Sequence, residues 1–128
     1  MNKKIYIVII VLFGFLLKSC DPTYPVSISN QTDSEVTIQA KKTLRFWNDS
    51  IKLKELSDEN WIEFNLKPKQ SIECGMTIGG LRNDLPFSEL KILKPQDTII
   101  AKNENQVMEL FDKSFFGNLN TPYKLTIK

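Results

Sequence analysis

From Tyr24 to Ile127 the chain repeatedly alternates apolar and polar residues. A period of two places one set of side chains on one face of an extended strand, so the pattern demands β-structure with one buried face. Tyr24, Val26 and Ile28 alternate, the polar cluster Asn30-Gln31-Thr32-Asp33-Ser34 interrupts, and Val36, Ile38 and Ala40 resume. Two such runs split by turn-forming residues predict a hairpin. Leu44 and Phe46 extend the pattern until Trp47-Asn48-Asp49-Ser50 breaks it, and residues 51–60 fit either a short strand and loop or one helical turn. Ile62, Phe64 and Leu66 then alternate up to the turn Lys67-Pro68-Lys69. Beyond it Ile72, Cys74, Met76 and Ile78 share a predicted face until Gly79-Gly80 ends the strand. A loop from Gly80 to Pro86 leads to a strand with Leu90 and Ile92, the turn Pro95-Gln96-Asp97 and the strand Thr98–Ala101; Tyr123, Leu125 and Ile127 form the last strand.

One segment has helical spacing instead. Val107, Met108, Leu110 and Phe111 form an apolar stripe. Asn103 caps it, Gln106 stands where a capping-box partner belongs, and Gly117 is a natural stop. The expected fold is therefore mainly β, an antiparallel Ig-like sandwich over residues 26–128 with one short helix near 104–112. The outline resembles a cupredoxin, but the copper ligands of that family need histidines, and this chain has none. Any such likeness is of shape only.

The first residues follow a different rule. Lys3 and Lys4 precede an apolar run of 13 residues from Ile5 to Leu17, followed by Lys18-Ser19-Cys20-Asp21. A basic tip, a short apolar stretch and a small residue before a cut site are the physical pattern of an export signal. As a helix the run rises roughly 20 Å at ~1.5 Å per residue, short of the ~30 Å hydrocarbon layer of a membrane. Leu17-Lys18-Ser19-Cys20 resembles a lipobox, where bacterial lipoproteins are diacylated on cysteine and cut just before it. Leu17 and Ser19 match that pattern; Lys18 departs from it, in the way of the relaxed lipoboxes of Bacteroidota lipoproteins. The resemblance implies a signal peptide over 1–19, lipidation (palmitate) of Cys20, and a short tether over 20–25. More than one acyl chain is needed for stable anchoring, which a diacylated or triacylated Cys20 supplies. The alternatives are an uncleaved anchor or a plain secretory signal with Cys20 left free. Asp21-Pro22-Thr23-Tyr24 lacks the acidic signal that sends some Bacteroidota lipoproteins to the cell surface, which favours a periplasm-facing location in the envelope.

Charge and composition narrow the chemistry. Lys3, Lys4 and Lys18 lie in the signal, so of 17 basic and 15 acidic residues the remainder keeps 14 and 15, a net charge of −1. Without a basic block, nothing points to nucleic acid. With Cys20 acylated, Cys74 is the sole thiol of the two cysteines, so no internal disulfide forms and stability must come from the core. The absence of histidine removes Ser-His-Asp and Cys-His catalysis and His-based metal sites. No cofactor or metal is expected.

The remaining candidates are weak signals. Cys74, on an apolar strand face, reads as a small buried hydrophobe. Asp58, Glu59 and Glu63 could serve carboxylate-dependent hydrolysis only if held at a fixed separation, and a solvated loop is the simpler reading. Trp61 is out of phase with Ile62, Phe64 and Leu66, so it faces outward and is the better contact candidate of the two tryptophans. Arg82, in the Gly80–Pro86 loop, is a second contact candidate. Asp49-Ser50-Ile51 and Asp97-Thr98-Ile99 resemble the short O-glycosylation motif of exported Bacteroidota proteins, marking Ser50 and Thr98. The expected function is a membrane-anchored, non-enzymatic binding or accessory module contacting an envelope protein or glycan. An immunity or inhibitor lipoprotein is the second reading and a carboxylate-dependent hydrolase the third.

Overall fold

The computed structural model describes residues 3–16, 23–58, 60–78, 80–113 and 123–128. Cys20, Glu59, Gly79 and Gly117 lie outside the described residues. Helix α1 covers Lys3–Leu16. Strands β1 (Tyr24–Asn30), β2 (Val36–Lys42), β3 (Lys54–Glu55), β4 (Trp61–Leu66), β5 (Ser71–Thr77), β6 (Phe87–Leu93) and β7 (Thr98–Ala101) precede helix α2 (Glu104–Glu109), and β8 (Phe111–Lys113) and β9 (Tyr123–Ile127) complete the order. They form two packed sheets, ordered β5-β1-β9-β8 and β3-β4-β2-β6-β7. The fold is a β-sandwich. Among the described residues β1 and β9 pair in parallel and the other strand pairs are antiparallel.

The inward residues are those the alternation selects. Val26 and Ile28 of β1, Val36, Ile38 and Ala40 of β2, Ile62, Phe64 and Leu66 of β4, and Leu90 and Ile92 of β6 are all buried, with Leu125 and Ile127 behind them. Val107 is the buried residue of α2. Asn103 caps that helix, its Oδ1 accepting from the Gln106 amide at 2.9 Å. The Gln106 side chain reaches back one residue further than a standard box and accepts from the Lys102 amide at 2.7 Å. The helix ends at Glu109, and Phe111 belongs to β8 rather than to the helical stripe.

Three features differ from the sequence reading. The runs at 24–30 and 36–42 do not form a hairpin, because β1 and β2 lie in opposite sheets. Likewise β4 and β5 are in opposite sheets, so residues 67–70 also cross between layers. Both crossings meet at Asn30, which is fully buried. Its Nδ2 donates to the carbonyls of Ser34, Leu66 and Lys67 at 2.8, 3.1 and 3.1 Å. Its Oδ1 accepts from the amide and hydroxyl of Thr32 at 3.0 and 2.7 Å.

The second difference lies in β5. Val26 pairs with Gly75 but Ser27 pairs with Glu73, so Cys74 is an extra residue and the strand bulges there. A bulge moves every later side chain to the opposite face. Thr77 is therefore buried, and Met76 and Ile78, expected beside Cys74 in the core, are exposed. Thirdly, Leu44 does not continue a strand. Residues 44 and 45 turn, and the chain from Thr43 to Asn48 lies along β5 as a strap, the Trp47 amide donating to the Cys74 carbonyl at 3.1 Å. A Cβ on Gly75 would stand 3.0 Å from the Arg45 carbonyl oxygen, so the absence of a side chain lets the strap approach this closely.

Candidate functional site

Strand directions give the sandwich two ends. Tyr24, where β1 begins, pairs with Thr77, the last residue of β5. The strap residues 43–47 and the loop 80–86 close this same end, since the Thr43 amide donates to the Pro86 carbonyl at 2.9 Å and the Thr43 hydroxyl to the Leu85 carbonyl at 2.7 Å. The opposite end holds the Asn30 crossings.

Asp84 organises the Tyr24 end. Its Oδ2 accepts from the Thr77 hydroxyl at 2.9 Å and the Ile78 amide at 3.0 Å. Its Oδ1 lies 3.5 Å from Arg45 Nε. The Thr77 oxygen in turn accepts from the Gly80 amide at 3.0 Å. Hydrogen bonds to an ionised acceptor are the stronger kind, and here one carboxylate joins the end of β5, the loop 80–86 and the strap. Leu81 and Leu85 are buried under that loop. Around this frame several apolar residues are exposed: Leu44 fully, and Ile78, Met76 and Trp47 to 59%, 52% and 52%. Exposed Arg45 and Arg82 stand among them.

A second concave feature opens toward the other end. A groove of about 450 Å³ is lined by Glu35, Lys52, Lys54, Glu63, Asn65, Lys67 and Gln70, with Ile51 and Phe64 at its base. Glu63 accepts from Gln39 Nε2 at 2.8 Å and lies 3.5 Å from Lys54 Nζ. The Gln39 hydrogen bond, aided by Lys54 and only partly opposed by burial, holds the Glu63 carboxyl below its ordinary value. A lowered value favours the ionised form, the opposite direction from the raised pKa of a general acid. Any stability it adds is present above its ordinary pKa and lost as pH falls through the lowered one. Among the described residues no three His, Cys, Asp or Glu side chains are grouped to hold a metal ion.

The sequence-derived candidates are scattered over this frame. Trp61 faces outward at the start of β4 and is half-buried, with Lys91 Nζ 5.4 Å from its ring centroid. Arg82 is exposed in the loop at the Tyr24 end. Ser50 and Thr98 are both exposed, Ser50 bonded to Asn48 and Thr98 at the start of β7, and they lie apart from each other. Asp58 is exposed near the start of β4, away from the groove that holds Glu63.

Cys74 is buried, its Sγ donating weakly to the Val26 carbonyl at 3.4 Å. Burial first, and the charge of Glu73 second, push its thiol far above the ordinary range. The reactive species of cysteine is the thiolate, so native Cys74 will not react with a thiol reagent at pH 8 and will react once the chain is unfolded in guanidinium. Fast labelling of the folded protein would contradict its place in the core.

Sequence reasoning passed over Leu44, Met76 and Ile78 as surface residues. The signal that could have found them is Gly75 directly after Cys74, since an isolated glycine inside a strand pattern marks a bulge. No protein-family model, curated protein or solved structure matches this chain.

Proposed function

We propose that this protein is a lipid-anchored component of the bacterial cell envelope, held on a membrane through acylated Cys20, and that its sandwich is a non-enzymatic binding or accessory module. The observation that carries the reading is the junction itself. The apolar run ends in Leu17-Lys18-Ser19-Cys20, and the first strand of the sandwich begins at Tyr24. The α1 side chains from Ile5 to Val11 are all exposed. No helix among the described residues is long and apolar enough to cross a membrane.

The binding role rests on the groove at the end far from Tyr24. Its three lysines, two glutamates and two amides offer a partner many hydrogen-bond donors and acceptors, and an anchored domain presents that end away from the membrane. A polar protein segment or a glycan suits such a lining better than an apolar ligand.

The direct test is metabolic labelling with a clickable palmitate analogue in the native host. The wild-type chain will carry label and appear at the mass of residues 20–128 plus lipid; Cys20→Ala will lose the label entirely and accumulate as precursor. A Cys20→Ala protein processed and labelled like wild type would overturn the anchor. Cross-linking of native membranes from Lys52, Lys54 or Lys67 then reads the partner, and an enzyme or toxin recovered there would make the module an inhibitor.

A further inference from the structure

We propose that the Tyr24 end of the sandwich docks on the bilayer surface, with Leu44, Trp47, Met76 and Ile78 entering the headgroup layer and Arg45 and Arg82 meeting lipid phosphates. The inference rests on the lipid anchor at Cys20 proposed above and adds the orientation in which the anchored domain lies.

Two independent observations meet at one place. The first is where the chain leaves the anchor. Residues 21–23 alone separate Cys20 from Tyr24, and four Cα steps of at most ~3.3–3.6 Å hold Tyr24 within roughly 14 Å of the acylated residue. Tyr24 pairs with Thr77 and Pro25 with Met76, so that end of β5 is tied to the membrane by the same short length. The second is the distribution of exposed apolar side chains. Among the described residues outside α1, the large hydrophobics left exposed are Leu44, Trp47, Met76, Ile78 and Ile100. Leu44, Met76 and Ile78 sit at the Tyr24 end, Trp47 lies next to them along the strap beside Cys74 of β5, and Ile100 lies elsewhere, on β7. A random scatter of surface hydrophobics needs no explanation, but a cluster of them does.

The bilayer suits this cluster better than another partner, because the tether brings its surface there without any further binding event. A tryptophan with apolar neighbours on one side and arginines beside it is the composition that settles at a membrane–water interface. The surrounding frame is rigid. Asp84 fixes Ile78, Thr77 and Arg45 relative to one another, and the hydrogen bond from the Trp47 amide to Cys74 fixes the strap, so the apolar residues are held outward rather than free to fold back.

The test uses the mature lipidated protein carrying Trp61→Phe, which leaves Trp47 as the sole tryptophan, reconstituted in phosphatidylethanolamine–phosphatidylglycerol vesicles. Acylation is read by mass and by flotation with the vesicles. Trp47 emission will shift to the blue relative to detergent-free domain standing off the membrane, and phospholipids brominated high on the acyl chain will quench it. A second variant adding Leu44→Glu and Ile78→Glu, both at exposed positions, will still float but will lose the blue shift and the quenching. Absence of acyl mass and flotation defeats the anchor itself. Normal acylation and flotation with Trp47 unquenched overturns the docking alone. A blue shift that depends on protein density and survives without bromine quenching also overturns it, assigning the patch to a second copy of the chain.

Discussion

Replacing Asn30 with alanine will destabilise the domain by about 3 kcal/mol or more, as each buried polar group left unpartnered costs ~1–3 kcal/mol. Asn30 is fully buried, and its amide serves carbonyls from both sheet crossings: Ser34 on one, Leu66 and Lys67 on the other. Alanine removes the donors from the buried Leu66 carbonyl and the part-buried Ser34 and Lys67 carbonyls and takes from the Thr32 amide its acceptor, whereas the Thr32 hydroxyl keeps the Ser34 carbonyl at 2.9 Å. For a domain near 100 residues that loss lowers Tm by on the order of 10–20 °C. Thr32→Val, which removes one partner at the half-buried rim, will cost only about 1 kcal/mol. Asn30→Asp supplies a sharper signature. The new carboxylate has no donor to offer the three carbonyls, so its pKa rises in the folded state. The variant will be weakest at neutral pH and will recover as pH falls through that raised value, because the protonated form can donate again. Urea denaturation at pH 7 and pH 4.5 reads both effects. An Asn30→Ala protein within 1 kcal/mol of wild type would mean that water replaces the amide.

That residue also shows where the sequence stops being legible. The alternation at 24–28, 36–40, 62–66 and 90–92 identifies strands and their inward residues, and the structure agrees at each, because a two-residue period has a single geometric meaning. The polar cluster 30–34 says only that the chain turns. A tight hairpin and a crossing between sheets use the same residue types, and the choice depends on which strands later pair with β1: β5 and β9, 42 and 97 residues further along the chain at the paired positions Ser29–Ser71 and Asn30–Ile127. The face of Met76 and Ile78 was hidden for a different reason. One inserted residue at Cys74 reverses the parity of everything after it, and only the neighbouring Gly75 hints at this. Of the candidate site, the proposed tether is read from a motif, whereas the apolar residues near Tyr24 are not. Leu44, Trp47, Met76 and Ile78 come together through the strap and the Asp84 bonds, from separate parts of the chain.

Phe87→Ala will cost about 3–5 kcal/mol, the range for deleting a buried aromatic side chain. Phe87 is fully buried at the start of β6 and is the largest such side chain among the described residues. Its ring lies 5.4 Å from that of Phe46, tilted by 40°. Such pairs contribute roughly 0.5–1.5 kcal/mol beyond the area they bury, so a double-mutant cycle on Phe46 and Phe87 will return a coupling of that size. Phe87→Leu keeps most of the volume and will cost less, under about 1.5 kcal/mol. The consequence reaches beyond stability, because Phe46 is the strap's own anchor in the core, standing between Leu44 and Trp47. Loss of the Phe87 ring removes the wall against which the strap is seated. The Trp47 amide, whose hydrogen bond to the Cys74 carbonyl marks the seated strap, will then exchange with solvent faster than amides in the middle of β2, even under conditions where the domain stays folded. Equal acceleration of both would mean that the strap and the sandwich open together as one unit. Faster exchange at Trp47 alone would show that the strap opens separately, and that the Phe46–Phe87 contact sets how rigidly the strap presents Leu44 and Trp47.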